Sequence, residues 1–139
     1  MVNNTDIVRY YNGKATIENF FGEELKYIYV LHYVSGLTHK GSESRLIDEK
    51  FFNNLPNKSI SENIFSFKYE LGLPNSFDYW FIKLETISGK TYATKKNFYC
   101  SIKEEDRGKV ILGVNGEAKT LYVAFSSSSG CSTKLIEES

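Results

Sequence analysis

A period of two runs through this chain, and it leaves little room for any fold but a β one. In Leu25–Val34 (LKYIYVLHYV), Leu25, Tyr27, Tyr29, Leu31 and Tyr33 share one face. Lys26, Ile28, Val30, His32 and Val34 share the other. Both faces are mostly apolar, which predicts a central strand covered on both sides at least in part. A helix is the competing reading, and the β-branched and aromatic content argues against it. Asn63–Leu71 alternates again, with Phe65, Phe67, Tyr69 and Leu71 opposite Ser66, Lys68 and Glu70. That pattern predicts a half-buried antiparallel strand. Tyr and Phe number 10 each against a single Met. Such residues pack well on a pleated surface, while strong helix formers are thin.

The rest of the chain divides at turn signals. Residues 1–13 are polar and end at Asn12-Gly13, so they read as an N-terminal extension. Lys14–Phe20 reads as a first strand, turned at Gly22-Glu23-Glu24. Residues 35–61 form the longest irregular stretch, with room for a short helix around Leu46–Phe52. Gly72–Ser76 is a turn cluster, and Phe77–Ile87 is a strand. Ser88-Gly89-Lys90 closes a hairpin into Thr91–Thr94, and Asn97–Ile102 continues or restarts the strand. Lys109–Val114 and Leu121–Phe125 flank Asn115-Gly116, the strongest short hairpin signal present. Lys134–Ile136 reads as a short edge strand. Seven to nine strands result. At 139 residues they suit one domain over 14–139, a single antiparallel β-sandwich with jelly-roll or Greek-key connections.

Charge and composition exclude some roles. The 17 basic and 17 acidic residues cancel, so no sequence-blind nucleic-acid binder is expected. No apolar run approaches the ~18–20 residues of a membrane helix. Met1–Asp6 has neither a basic n-region nor an apolar h-region, so it does not read as a secretion signal. A cytoplasmic chain and one exported by another route both fit. Asn3-Asn4-Thr5 and Asn57-Lys58-Ser59 match the glycosylation sequon and read as ordinary loops.

Chemistry-bearing residues are few. Cys100 and Cys131 cannot build a four-ligand zinc site alone. Paired, they would close a loop of about 30 residues, worth about 3 kcal/mol; the alternative is two reduced thiols. His32 lies in the most apolar strand and reads as a core histidine, while His39 lies in a loop. Asp48, Asp78 or Asp106 could join a histidine and a serine on paper. No Gly-x-Ser-x-Gly elbow marks a nucleophile, so no catalytic residue and no enzyme is expected. Glu23-Glu24 and Glu104-Glu105-Asp106 read as solvated turns, with a weak Ca²⁺ loop as the alternative for such clusters. Nothing calls for a cofactor or a metal.

Aromatic residues offer the better functional lead. In Asp78-Tyr79-Trp80, the expected arrangement has Asp78 bonding a turn backbone and Trp80 filling the core with Ile82 and Leu84. Tyr79 and Phe81 then fall on the opposite face, where they could stack on a sugar or a lipid headgroup. Tyr27, Tyr29 and Tyr33 form a stripe, either in the core with hydroxyls at the rim or on an exposed face. Lys95-Lys96, followed by Phe98 and Tyr99, could meet an anionic headgroup or could be a plain solvated edge. The candidate ligand-binding residues are therefore Tyr33, Tyr79, Phe81, Lys95, Lys96 and Tyr99.

Asp78-Tyr79-Trp80, Gly89-Lys90-x-Tyr92, Asn97-Phe98-Tyr99-Cys100 and Asp106 form an ordered set. With Val30–Tyr33, Tyr69–Gly72 and Tyr122–Ser127 followed by Cys131, the chain from residue 14 onward resembles a known family. It is the small all-β domain family named for up-regulation in nematode insulin-pathway (dauer) mutants. Leu71 stands where that pattern has a polar residue before the glycine. The resemblance implies a β-sandwich-like domain with no established catalytic role. A looser similarity, of size, β-richness and aromatic content only, is to the lipid-binding aegerolysins, whose abundant tryptophan is missing here. The preferred expectation is a non-enzymatic module that binds a membrane lipid or glycan, as in a toxin-like or defence protein. The alternatives are a domain that docks on a second protein or on itself, and, last, a hydrolase with a dispersed site.

Overall fold

The structure is a computed structural model that describes residues 9–36, 46–71 and 76–138. Ten strands fill these segments: β1 Arg9–Phe20, β2 Leu25–Gly36, β3 Leu46–Leu55, β4 Ser59–Leu71 and β5 Ser76–Thr86. The others are β6 Thr91–Ala93, β7 Lys109–Asn115, β8 Thr120–Phe125, β9 Cys131–Lys134 and β10 Ile136–Glu138. They form two five-stranded sheets. Sheet A runs β4-β1-β7-β8-β9 and sheet B runs β10-β6-β5-β2-β3. This is the expected all-β sandwich, with ten strands instead of seven to nine. It is antiparallel except at one pair. β1 and β7 run parallel from Lys14↔Lys109 to Phe20↔Asn115, because the chain visits sheet B before returning beside β1.

Inward alternation builds the core. Ile17, Phe65, Phe67, Leu112 and Leu121 come from sheet A, and Ile28, Val30, Trp80, Ile82 and Leu84 from sheet B. Trp80 is fully buried, set edge-on to Phe67 at 5.2 Å, and its indole N–H donates to the Cys100 carbonyl at 2.9 Å. Cutting such a residue to alanine costs about 3–5 kcal/mol.

Several sequence expectations are corrected. The 1–13 extension is not wholly irregular: strand β1 already begins at Arg9 and pairs with β4 through Gly13↔Phe67. Gly13 is needed there because the Phe67 ring lies where a Cβ would be, 2.3 Å away. Leu46–Phe52 is strand, not helix, and the 35–61 stretch holds all of β3 and the start of β4. The charged run Asp48-Glu49-Lys50 looks solvated in sequence, yet an edge strand tolerates it. Asn97–Ile102 joins β5 at one bridge, Tyr79↔Tyr99, and otherwise lies outside the strands. Lys134–Ile136 is split by Leu135 into β9 and β10, which belong to different sheets.

The Asn115-Gly116 hairpin forms with a four-residue loop between Asn115 and Thr120, and its left-handed residue is Lys119, not Gly116. Gly116 serves close approach instead: a Cβ there would meet the Phe21 carbonyl oxygen at 1.7 Å. The Gly72–Ser76 turn cluster, His39 and the Asn3 sequon lie, wholly or for the most part, outside the described residues. Asn57 takes part in a turn, where its side-chain oxygen accepts from Gly22 N–H at 3.2 Å.

Candidate ligand-binding face

The outer face of sheet B carries the tyrosine stripe. β2 turns Ile28, Val30, His32 and Val34 into the core and leaves Tyr27, Tyr29, Leu31 and Tyr33 half-buried on the open side. The expected cover on both sides of β2 is therefore missing on this side among the described residues. β5 alternates in phase, burying Asp78, Trp80, Ile82 and Leu84 and presenting Tyr79, Phe81 and Lys83. Antiparallel register sets Tyr33 opposite Tyr79 and Leu31 opposite Phe81. On the other flank Phe51 of β3 sits opposite Tyr29.

Those pairings produce two aromatic groups. Tyr33 and Tyr79 stack at 4.7 Å with planes 3° apart, and Tyr99 and Phe77 extend the group at 5.9 Å and 5.0 Å between successive rings. Tyr29 contacts Phe51 at 4.8 Å and Phe81 edge-on at 6.2 Å. Between them lies a shallow depression of about 310 Å³, lined by Tyr29, Leu31, Tyr33, Phe81 and Lys96. The Tyr33 hydroxyl donates to the Lys96 carbonyl at 3.0 Å, which ties residues 95–99 to the rim. The same segment is held along β5 by Trp80 N–H to the Phe98 carbonyl and Cys100 N–H to the Asp78 carbonyl.

Two hydroxyls are perturbed. Partial burial, then the hydrogen bond to Glu49 at 2.5 Å and its charge, push Tyr29 up to about 12. Partial burial, then neighbouring Tyr79, raises Tyr33. Both stay protonated at neutral pH and remain usable as donors or acceptors.

The structure thus brings together Tyr33, Tyr79, Phe81, Lys96 and Tyr99 from the sequence-derived set. Lys95 is exposed next to them but does not line the depression. Tyr29, Leu31, Phe51 and Glu49 belong to the same face and were not among the candidate ligand-binding residues. Phe51 and Glu49 could be found only by recognising β3 as a strand in register with β2. A second hollow of about 240 Å³ on the open face of sheet A has one ring, Phe125, and one cation, Lys109, on its lining.

His32 is a core histidine, and its partners are carboxylates. Nε2 lies 2.8 Å from Asp78 Oδ1 and Nδ1 lies 3.5 Å from Asp48 Oδ2. Burial pushes the imidazole pKa down, but Asp48 and Asp78 outweigh it and raise it. Asp48 also accepts from Lys68 N–H at 2.8 Å, and Asp78 from Ile102 N–H at 3.0 Å. With both ring nitrogens facing carboxylates and no surface exposed, His32 has no nitrogen placed to activate a serine.

Asp106 departs from the solvated-turn reading. It is fully buried, and its carboxyl accepts from the backbone N–H groups of Lys103, Ser127 and Ser128 and from the Ser128 hydroxyl. These donors hold its pKa down despite burial and organise a turn. Cys100 and Cys131 form a disulfide with Cα atoms 6.0 Å apart.

Compared with known proteins, the sequence matches no family model and no curated protein. The family resemblance therefore rests on its ordered motifs alone.

Proposed function

We propose that this chain is a non-enzymatic binding module whose tyrosine-rich open face of sheet B recognises a glycan or a membrane lipid headgroup. One observation carries the reading: the parallel-stacked Tyr33–Tyr79 pair beside a shallow hollow lined by Tyr29, Leu31 and Phe81. Half-buried rings on adjacent strands are held by their neighbours, so they lose little entropy on binding. They join an apolar surface to polar tips, which suits a sugar or a headgroup. Among the described residues nothing packs over these rings, and apolar surface left open on a sheet face suits an interaction site.

The test is co-sedimentation with liposomes of varied headgroup, with and without sugar-bearing lipids, beside titration with soluble oligosaccharides. Tyr79→Ala and Lys96→Ala are expected to weaken binding about tenfold while circular dichroism and the thermal midpoint stay near wild type. Unchanged binding in both variants would remove this face. Dye leakage from the liposomes would add a toxin-like action.

A second reading has its own observation. Ile47 and Phe51 on β3, and Ile60 and Ile64 on β4, are exposed on strands that end their respective sheets. Edges that no strand pairs among the described residues, carrying apolar side chains, can pair with another strand, from a second protein or a second copy. Sedimentation velocity showing a concentration-dependent dimer, abolished by Phe51→Lys, would favour it.

A further inference from the structure

We propose that the ligand of the open face is an acidic sugar, one whose ring carries a carboxylate or sulfate. The proposal rests on the binding-face reading above and names its ligand class.

The charges around the depression are unequally spent. Glu49 accepts the Tyr29 hydroxyl. Glu85 pairs with Lys26 at 3.3 Å, and Lys83 pairs with Glu138 at 3.4 Å. Lys96, on the lining, and Lys95, beside it, have no carboxylate within ion-pair distance among the described residues. Glu49, opposite Leu31, keeps its negative charge in that hydrogen bond, so beside the apolar floor two lysines without an ion pair, Lys95 and Lys96, stand against one such carboxylate among the described residues. The chain has no net charge, so an anion preference here cannot come from a general field and must be local.

Floor and rim ask for a ligand with two unlike parts. The rings of Tyr29 and Phe81 and the Leu31 side chain offer an apolar floor of the kind that the C–H face of a sugar ring covers. Lys96 offers a charge-assisted hydrogen bond to an anionic substituent at the ring edge. Its backbone is pinned by the Tyr33 hydroxyl, which keeps the residue beside the floor and the floor within reach of its side chain. A membrane fits less well. Interfacial binders bury apolar groups about 5–10 Å deep in the headgroup boundary. Here the lining rings are half-buried in the plane of a sheet and do not project.

The test is isothermal titration of the whole chain with oligosaccharides in matched pairs, uronates against their methyl esters and sulfated against unsulfated forms. Sugar-free anionic phospholipid vesicles are a third arm. At least one acidic form is expected to bind about tenfold more tightly than its neutral partner, and the preference should shrink as salt rises. Lys96→Gln should erase the preference, so that the acidic form binds no more tightly than its neutral partner. Lys134→Gln, an equal charge change on exposed β9, should leave it intact. Equal binding of acidic and neutral forms would overturn the ligand class and leave the binding face standing. Binding to the sugar-free vesicles alone would overturn it in favour of a membrane headgroup. Binding to no sugar and no vesicle would overturn both proposals.

Discussion

His32 shows how one residue ties three strands together. It stands on the inner side of β2, with Asp48 from β3 and Asp78 from β5 on its two ring nitrogens. Asp48 reaches on to the backbone of β4, so the network crosses from sheet B to sheet A. Breaking a buried ionic group by removing one partner leaves an uncompensated charge, which is costly. The pH dependence follows from the two shifts. His32 is raised above its ordinary 6.5, so its contribution is full below that value. It is lost as pH rises through the folded value. Asp48 is lowered below its ordinary 3.8 by His32 and the Lys68 N–H, against the opposing effect of burial. Its contribution is full above that value and is lost as pH falls through the folded one. Urea midpoints measured across pH should therefore fall on both the alkaline and the acid side. In Asp48→Asn the alkaline fall should begin at lower pH, because one of the two charges holding the proton on His32 is gone. An alkaline limb identical to wild type would show that the Asp48 contact does not matter.

Among the elements, β3 and the 97–102 segment explain what could be read in advance. β4 announced itself because its alternation is clean and one face meets the core, and β2 and β5 by their β-branched and aromatic content. β3 hid because, at the edge of sheet B, it needs only Phe52 and Leu55 in the core and can expose Ile47 and Phe51. Its Asp48 turns toward a histidine 16 positions earlier, a partner that periodicity does not reveal. The cysteine pair could be posed but not decided, since pairing needs Cα atoms about 4.4–6.8 Å apart and sequence carries no distance. In the folded chain Cys100 follows the segment along β5 in sheet B, and Cys131 opens β9 at the far edge of sheet A. The bond therefore staples the two sheets across 31 positions of chain. The double variant Cys100→Ser/Cys131→Ser is expected to lose about 3 kcal/mol in urea unfolding, and dithiothreitol should lower the midpoint of the native chain alone. Equal stability of native and double-variant chains would contradict the stapling role.

For the molecule as a whole, a sandwich with one polar-patterned sheet and one aromatic-faced sheet is an asymmetric object. Sheet A turns Lys14, Glu18 and Tyr122 outward, with Tyr122 lying over Gly113 and donating to Glu18 at 2.7 Å. Sheet B turns outward two sets of rings, Tyr27, Phe51, Tyr29 and Phe81 on one side of the depression and Tyr33, Tyr79 and Tyr99 on the other. The fold class, the core role of Trp80 and the outward aim of Tyr79 and Phe81 all followed from alternation. Which side of β2 would be open did not, because both of its faces are apolar and only the position of sheet A decides between them. The depression itself is made by register between two strands and a segment pinned by one hydroxyl, which no single stretch of sequence encodes.

The most direct experiment is an NMR titration of the isotopically labelled chain with the tightest ligand from the oligosaccharide and lipid panels. Amide shifts are expected to concentrate on Tyr29–Tyr33, Tyr79–Phe81 and Lys95–Tyr99, with β1, β7 and β8 unmoved. Shifts centred on β1, β7 and β8, with those three segments silent, would contradict the assignment of the open face of sheet B as the binding surface.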